Sequence, residues 1–320
     1  MGQRTEKDEV AGEKIRRLYL LMREQWFVAG RSQLIESGFQ SSQITSWRRS
    51  GRLVPVLQGV YSYGRDIETR EAAWKAALVF GGGGSALMGV SACEAWGIVR
   101  STQRIPQRIE VGRPSRKPAS PVGVSPALKG TRFRFCSRQL LATDVVSRNG
   151  LEVVTPSLAL IDLAETASEK EVRFAFLEAC RLRLVGSSEV DFCFRRAVGR
   201  RGATTFKSLL ASWVPELART RSVLEGLFLL AWAESGHPMP LVNVKLLGFE
   251  VDMYWPGFEI VLELDGAAFH DDPLSRARDR TKSEQLELSG RSVLRAGFHE
   301  VESRPHEVVS MVIRAMEQKR

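Results

Sequence analysis

A chain of 320 residues with 43% apolar content is long enough for two or three folded cores and too apolar to remain a disordered polymer. No run of about 18 apolar residues occurs, and the opening MGQRTEKDEV lacks an apolar stretch, which argues against a membrane span or a secretory leader. The formal charge of +9 points to a polyanionic partner, while Cys93, Cys136, Cys180 and Cys193 form no C-x2-C pair, suggest neither a zinc site nor a disulfide framework, and read as buried thiols in a reducing cytoplasm.

Residues 1–10 read as a polar arm, after which Ile15, Leu18, Leu21 and Met22 recur at helical spacing. A short helix opens at Ser32 and stops at Gly38, and another runs from Ser42 to Arg49 and ends at Gly51. Two short helices with a tight glycine-containing turn suggest helix-turn-helix, and Leu53–Tyr61, turning at Gln58-Gly59, supplies a two-stranded wing. The segment FVAGRSQLIESGFQSSQITSWRRSGRLVPVLQGVYSYG closely resembles the N-terminal winged-helix domain of AbiEi-type antitoxins, the regulatory half of type IV toxin–antitoxin systems. That resemblance implies a helix in the DNA major groove, with Gln43, Thr45, Ser46, Arg48 and Arg49 facing bases or phosphates and Arg52 at the wing. It also implies a cognate toxin protein as a partner. Trp47, on the same helix, is equally readable as core.

The next stretch predicts helices over 68–80 and 85–96 around Gly81-Gly82-Gly83-Gly84, a flexible turn rather than a phosphate cradle because no Lys-Ser/Thr follows. Strands follow at 108–112 and 131–136, separated by a Pro/Ser/basic loop over 113–129. Residues 98–148 hold 11 Lys or Arg against Glu110 and Asp144 alone, so the other residues balance at 35 basic to 35 acidic. This basic segment is either a nucleic-acid track, with Arg113, Arg116 and Lys117 among its cations, or a set of solvated loops. Val153–Ala164 resembles the middle region of the same antitoxin-like proteins, where Thr155-Pro156 opens a helix, and further helices are expected over 171–183, 188–197 and 205–210. Asp162 and Glu165 read as helix surface or capping groups.

Towards the C-terminus, GFEVDMYWPGFEIVLELDGAAFH from Gly248 to His270 alternates apolar and polar residues on both sides of the turn Trp255-Pro256-Gly257, which predicts a β-hairpin. If its apolar faces point at a core, Asp252, Glu263 and Asp265 share the opposite face. Three carboxylates together repel one another unless they are solvated or a cation neutralises them, and hard oxygen ligands of this kind suit Mg²⁺ or Mn²⁺. The four histidines follow no serine or cysteine hydrolase pattern, and only His270 stands near this constellation.

The pattern Asp252-x10-Glu263-x-Asp265-Gly266-x3-His270 resembles the Vsr-like branch of the PD-(D/E)XK nucleases, related to very-short-patch-repair endonucleases. The flanks are similar as well: a helix over 217–235 carrying Glu225, a helix over 273–288, a strand near 292–295 and a closing helix from Pro305. The resemblance implies metal ligation by Asp252, Glu263 and Asp265 and helper roles for Glu225 and His270. Asp265 stands where the superfamily has Lys, so the basic group falls to Arg278 or Lys282, which share one face of the next helix.

The expectation is therefore a cytoplasmic α/β, multidomain protein: a winged helix-turn-helix over 1–66, a mixed α/β segment over 67–212, and a restriction-endonuclease-like αβββαβ domain over 213–320. The expected activity is metal-dependent hydrolysis of DNA phosphodiesters. The rival is an antitoxin-like transcriptional regulator whose nuclease-like domain is inactive.

Overall fold

In a computed structural model the described residues are 2–114, 121, 124–186, 189, 192, 195–196, 199–201, 203–211, 213–266 and 273–319. The protein is α/β, and among the described residues three sheets and the helices fall in two compact units, Met1–Leu163 and Ala164–Arg320.

The first unit opens with α1 (Gly2–Glu24), β1 (Val28–Gly30), α2 (Arg31–Glu36), α3 (Ser41–Arg49), β2 (Leu53–Leu57) and β3 (Val60–Tyr63). The three strands form an antiparallel sheet in the order β1-β3-β2, so β1, absent from the sequence reading, completes the β2–β3 hairpin. The hairpin reverses at Gln58-Gly59 as expected, with Gly59 at a φ of +74° that L side chains rarely adopt. Leu18 and Met22 of α1, Leu34 of α2, Ile44 of α3 and Leu53 and Tyr61 of the sheet meet in one core. Trp47 packs against that core, edge-on to Phe39 at 4.9 Å between ring centroids.

Next come α4 (Arg70–Gly81), β4 (Ala86–Leu87), α5 (Gly89–Trp96), β5 (Arg108–Arg113), β6 (Arg132–Ser137), β7 (Val145–Arg148), β8 (Leu151–Val154) and α6 (Pro156–Ala164). The strands make a mixed five-stranded sheet, β6-β5-β4-β8-β7. The helix expected over 85–96 starts only at Gly89, because buried Ala86 and Leu87 pair with both β5 and β8 as a central strand. At Gly89 the backbone has φ +52°, and a Cβ there would lie 1.8 Å from Glu110 Oε2, so only glycine fits. Because α4 packs on β1, β2 and β3 as well as β5, both sheets belong to one unit.

The second unit contains α7 (Glu169–Arg181), α8 (Ala203–Ala211), a 3-10 turn (Pro215–Arg219), α9 (Val223–Ala233), β9 (Leu241–Leu246), β10 (Phe249–Trp255), β11 (Ile260–Asp265), α10 (Pro273–Leu288), β12 (Ser292–Gly297), α11 (Phe298–Ser303) and α12 (Pro305–Glu317). Its four-stranded sheet runs β12-β11-β10-β9, antiparallel except for the parallel β11–β12 pair, which α10 connects. Apolar all round apart from Glu225, α9 is buried from Leu224 to Trp232 and packs on α7, α11 and α12. Its Phe228 and Trp232 stack on each other and pack against Trp255 of β10, and both indole N–H groups donate to the Pro238 carbonyl at 3.0 Å, so neither of these donors is left unpaired. Leu286 of α10 packs with Tyr254 and Val261 on the sheet, which fixes where the preceding turn of α10 meets the strands.

Candidate functional site

Asp252 and Glu263 come together because β10 and β11 are antiparallel partners: Met253 pairs with Leu262, and one step further along the ladder are the two acids. Asp252 Oδ2 accepts a hydrogen bond from the Leu264 N–H at 2.8 Å. Burial pushes the Asp252 carboxyl up to about 6; the charges of Glu263 and Glu225 add to this, while the Leu264 N–H and Lys282 oppose it. Glu263 is also raised, first by burial, with Lys282 and Arg295 holding it down. Its Oε2 accepts from Lys282 Nζ at 2.6 Å, while Oε1 is buried with no hydrogen-bond partner among the described residues.

Of the two basic candidates on α10, Lys282 reaches the acids and Arg278, one turn earlier, is exposed. Leu286 lies one turn beyond Lys282, so the packing that buries Leu286 aims the ammonium at Glu263. Asp265 behaves differently from the expectation of a shared cluster. It pairs with Arg295 of β12 at 3.8 Å, and Arg295 also donates to Ser283 Oγ at 2.8 Å. Among the described residues no three Asp, Glu, His or Cys side chains stand close enough to hold a metal ion together. The reason lies in strand geometry: Glu263 and Asp265 share a face but are two residues apart, about 6.5 Å along the strand, and only Glu263 faces Asp252 across the ladder. Burial also raises the Asp265 carboxyl, with the Arg295 charge lowering it. His270 lies outside the described residues.

Glu225 is buried, and its oxygens are occupied. Ser222 caps α9 by accepting from the Glu225 N–H at 3.1 Å, and its hydroxyl donates back to Glu225 Oε1 at 2.8 Å. Glu225 Oε2 accepts from the Arg221 N–H at 2.9 Å and from Asn243 Nδ2 at 2.6 Å. Glu225 thus ties the start of α9 to β9 while its charge bears on Asp252. The sequence reading missed Asn243. It sits at φ +51° between Val242 and Val244, whose partners Met253 and Val251 flank Asp252.

In the first unit Gln43, Thr45, Ser46, Arg48, Arg49 and Arg52 are all exposed, while Ile44 between them is buried. Two already have a local partner: Gln43 Oε1 accepts from the Gln40 N–H at 2.9 Å, and the Thr45 hydroxyl donates to the Ser41 carbonyl at 2.9 Å. Arg48 lies over the Tyr61 ring and Arg52 over Trp47, at 5.8 and 5.6 Å from the centroids.

Part of the basic surplus over 98–148 is paired within the fold, while Arg100, Arg104, Lys129, Arg132 and Arg148 are exposed. Fully buried Glu110 pairs with Arg108 at 2.6 Å and Arg134 at 3.3 Å, and it accepts from the Val90 N–H at the start of α5. Arg113 is buried, and Arg148 donates to the Ala95 carbonyl while lying over Trp96. Asp162 and Glu165 are not plain surface groups. Asp162 is buried and pairs with Arg138 at 3.7 Å, and Glu165 pairs with Arg200 at 3.1 Å. Arg116 and Lys117 lie outside the described residues.

No protein-family model matches the chain. Two curated relatives from Mycobacterium tuberculosis, the uncharacterized proteins MT2308 (strain CDC 1551 / Oshkosh) and Rv2248 (strain ATCC 25618 / H37Rv), are each 21% identical over 177 residues, which is 54% of this chain. The aligned part spans 64% of each relative's length. Among solved structures, the RV2827C protein from Mycobacterium tuberculosis is similar at 18% identity and a TM-score of 0.39, over 73% of this chain and 84% of that one. No helix among the described residues is long and apolar enough to cross a membrane.

Proposed function

We propose that the C-terminal region hydrolyses DNA phosphodiesters with a divalent cation, Mg²⁺ or Mn²⁺, held by Asp252 and Glu263. The observation that carries this reading is the pair itself: two acids on adjacent strands, both raised by burial, with Glu263 Oε1 buried and unpartnered among the described residues. A cation at those oxygens removes the electrostatic cost of ionising both, and Mg²⁺ is commonly held by one or two carboxylates together with waters and substrate phosphate. When bound, such an ion supplies a water of lowered pKa and charge for the developing phosphorane. Lys282 then places an ammonium beside the same acids, where it can meet a phosphate oxygen, and does from the helix what a strand lysine does in the nucleases this region resembles. Arg295, braced by Asp265 and Ser283, offers a second cation at the rim. The exposed face of α3 and the wing, with Arg48, Arg49 and Arg52, is the proposed duplex-binding surface.

The test is cleavage of single-stranded, duplex and mismatched DNA with Mg²⁺ or Mn²⁺, and Asp252→Asn and Glu263→Gln as folded controls. Wild-type product that both substitutions and chelation abolish supports the reading. Absence of product on every substrate overturns it.

A second reading is favoured by one observation, the pairing of Asp265 with Arg295 rather than in a three-acid cluster with Asp252 and Glu263. Under it the protein is a DNA-binding regulator of the antitoxin type, partnered by a toxin, and it binds DNA equally well in chelator and in Mg²⁺ without cutting it.

A further inference from the structure

The β9–β10 hairpin turns at Leu247-Gly248, with both residues at positive φ, +52° and +85°. That is the backbone of a two-residue primed turn, for which Asn-Gly or Asp-Gly is the low-strain solution. Seven non-glycine residues among those described have positive φ. Two are asparagines, Trp26 and Phe27 are partly buried, the Glu259 carboxylate is held by Tyr254 and Arg291, and Arg183 closes the end of α7 with its N–H donating to the Cys180 carbonyl. Leu247 alone is aliphatic, and it is 58% exposed. Beside it Gly248 is equally open, since a Cβ there would meet nothing within 4 Å, so the tip projects freely. Its base is firm: Val244 and Leu246 pack on the sheet core, and Glu250 forms an ion pair with Arg221. A leucine held in left-handed backbone on a rigid support is strained in the free protein, and such backbone outliers point to a role.

Its position suggests what that role is. β10 leaves the tip at Phe249 and reaches Asp252 three residues on, and β11 ends at Asp265 on the same side of the sheet, away from the turn that follows Trp255. The tip therefore stands at the acid end of the sheet, roughly 13–17 Å from Asp252 by strand rise. That is about four base-pair steps along a duplex. Lys245 on the same hairpin is exposed, as a backbone-contacting cation must be. Aliphatic side chains inserted between base pairs unstack them and kink the duplex.

We infer that Leu247 is a wedge that enters the base stack of duplex DNA a few steps from the phosphate at Asp252 and Glu263. This rests on the proposed placement of DNA at the acids, so the test reads insertion without turnover. Full-length protein, with Ca²⁺ replacing Mg²⁺, is titrated into duplexes carrying the fluorescent base 2-aminopurine at successive positions. Wild type is expected to raise the fluorescence at one or two neighbouring positions, and Leu247→Asn to abolish that rise and weaken duplex binding roughly 10- to 100-fold. Asn suits the turn better than Leu, so this variant should melt no lower than wild type. The wedge is overturned if wild type binds without a fluorescence rise, if it does not bind duplex at all, or if Leu247→Asn gives the same rise. A Leu247-dependent rise in a protein that never cleaves would instead overturn the hydrolytic reading and leave the wedge standing.

Discussion

Lys282 Nζ stands 2.6 Å from Glu263 Oε2, and both side chains are largely withdrawn from water. Removing the ammonium leaves a buried carboxylate uncompensated, whereas removing both charges leaves no such debt. Lys282→Met should therefore destabilise the fold by roughly 2–4 kcal/mol, and Lys282→Met with Glu263→Gln should regain most of it. Urea unfolding of the two single variants and the double variant measures the coupling. Additive losses would mean that the pair contributes nothing as a pair.

Asp252 makes stability depend on pH in the opposite sense to an ordinary surface acid. Its folded-state carboxyl titrates at about 6 against a usual value of 3.8. Between those values the folded chain keeps a proton that the unfolded chain has released, so stability falls as pH rises through this window, and the penalty is complete above about pH 6. In metal-free buffer, Asp252→Asn, which keeps an acceptor for the Leu264 N–H, should be more stable than wild type by about 1–3 kcal/mol at pH 7.5. The difference should close by pH 4. A gap that is constant across that range would assign the effect to packing.

Local signals made much of this architecture legible, and long-range packing hid the rest. Alternation around Trp255-Pro256-Gly257 placed β10 and β11, and Gln58-Gly59 placed the wing turn. Asn149-Gly150, flanked by Val145 and Val154, carried an equally strong hairpin signal that went unread, and β7–β8 is that hairpin. Ser222, three residues before Glu225, caps the helix that carries it and its hydroxyl holds the Glu225 carboxylate, which accounts for an acid otherwise read as a catalytic helper. The choice of Lys282 over Arg278 could not be made from spacing, since both lie on one face. It depends on where Leu286 seats α10 against the sheet. The separation of Asp265 from Asp252 likewise depends on ladder register, which alternation alone does not set.

On α3, Arg48 and Arg49 are exposed beyond the buried Ile44, so their removal should leave the core intact. Arg48→Ala with Arg49→Ala should weaken duplex binding by roughly 1–3 kcal/mol and lower the slope of log affinity against log salt by about two. Fluorescence anisotropy at several salt concentrations gives both quantities. An unchanged slope would show that this face does not meet DNA.

Among the described residues Glu263 Oε1 is buried without a partner, and its sister oxygen is held by Lys282. A divalent cation at Glu263 and Asp252 would therefore fill an unmet demand, and any ligand that binds only the folded state stabilises it by mass action, about 2.7 kcal/mol at a hundred times its Kd. Mn²⁺ should raise the melting temperature of wild type saturably, and Glu263→Gln or Asp252→Asn should remove that rise. Lys282→Met makes the argument sharper. It deletes a positive charge beside the proposed ion, so this variant, less stable without metal, should bind Mn²⁺ more tightly than wild type does. Mn²⁺ titrations followed by thermal melting and by the electron paramagnetic resonance of free Mn²⁺ report the two quantities separately. Equal Mn²⁺ uptake by wild type and Glu263→Gln would place the ion elsewhere and remove these acids from the site.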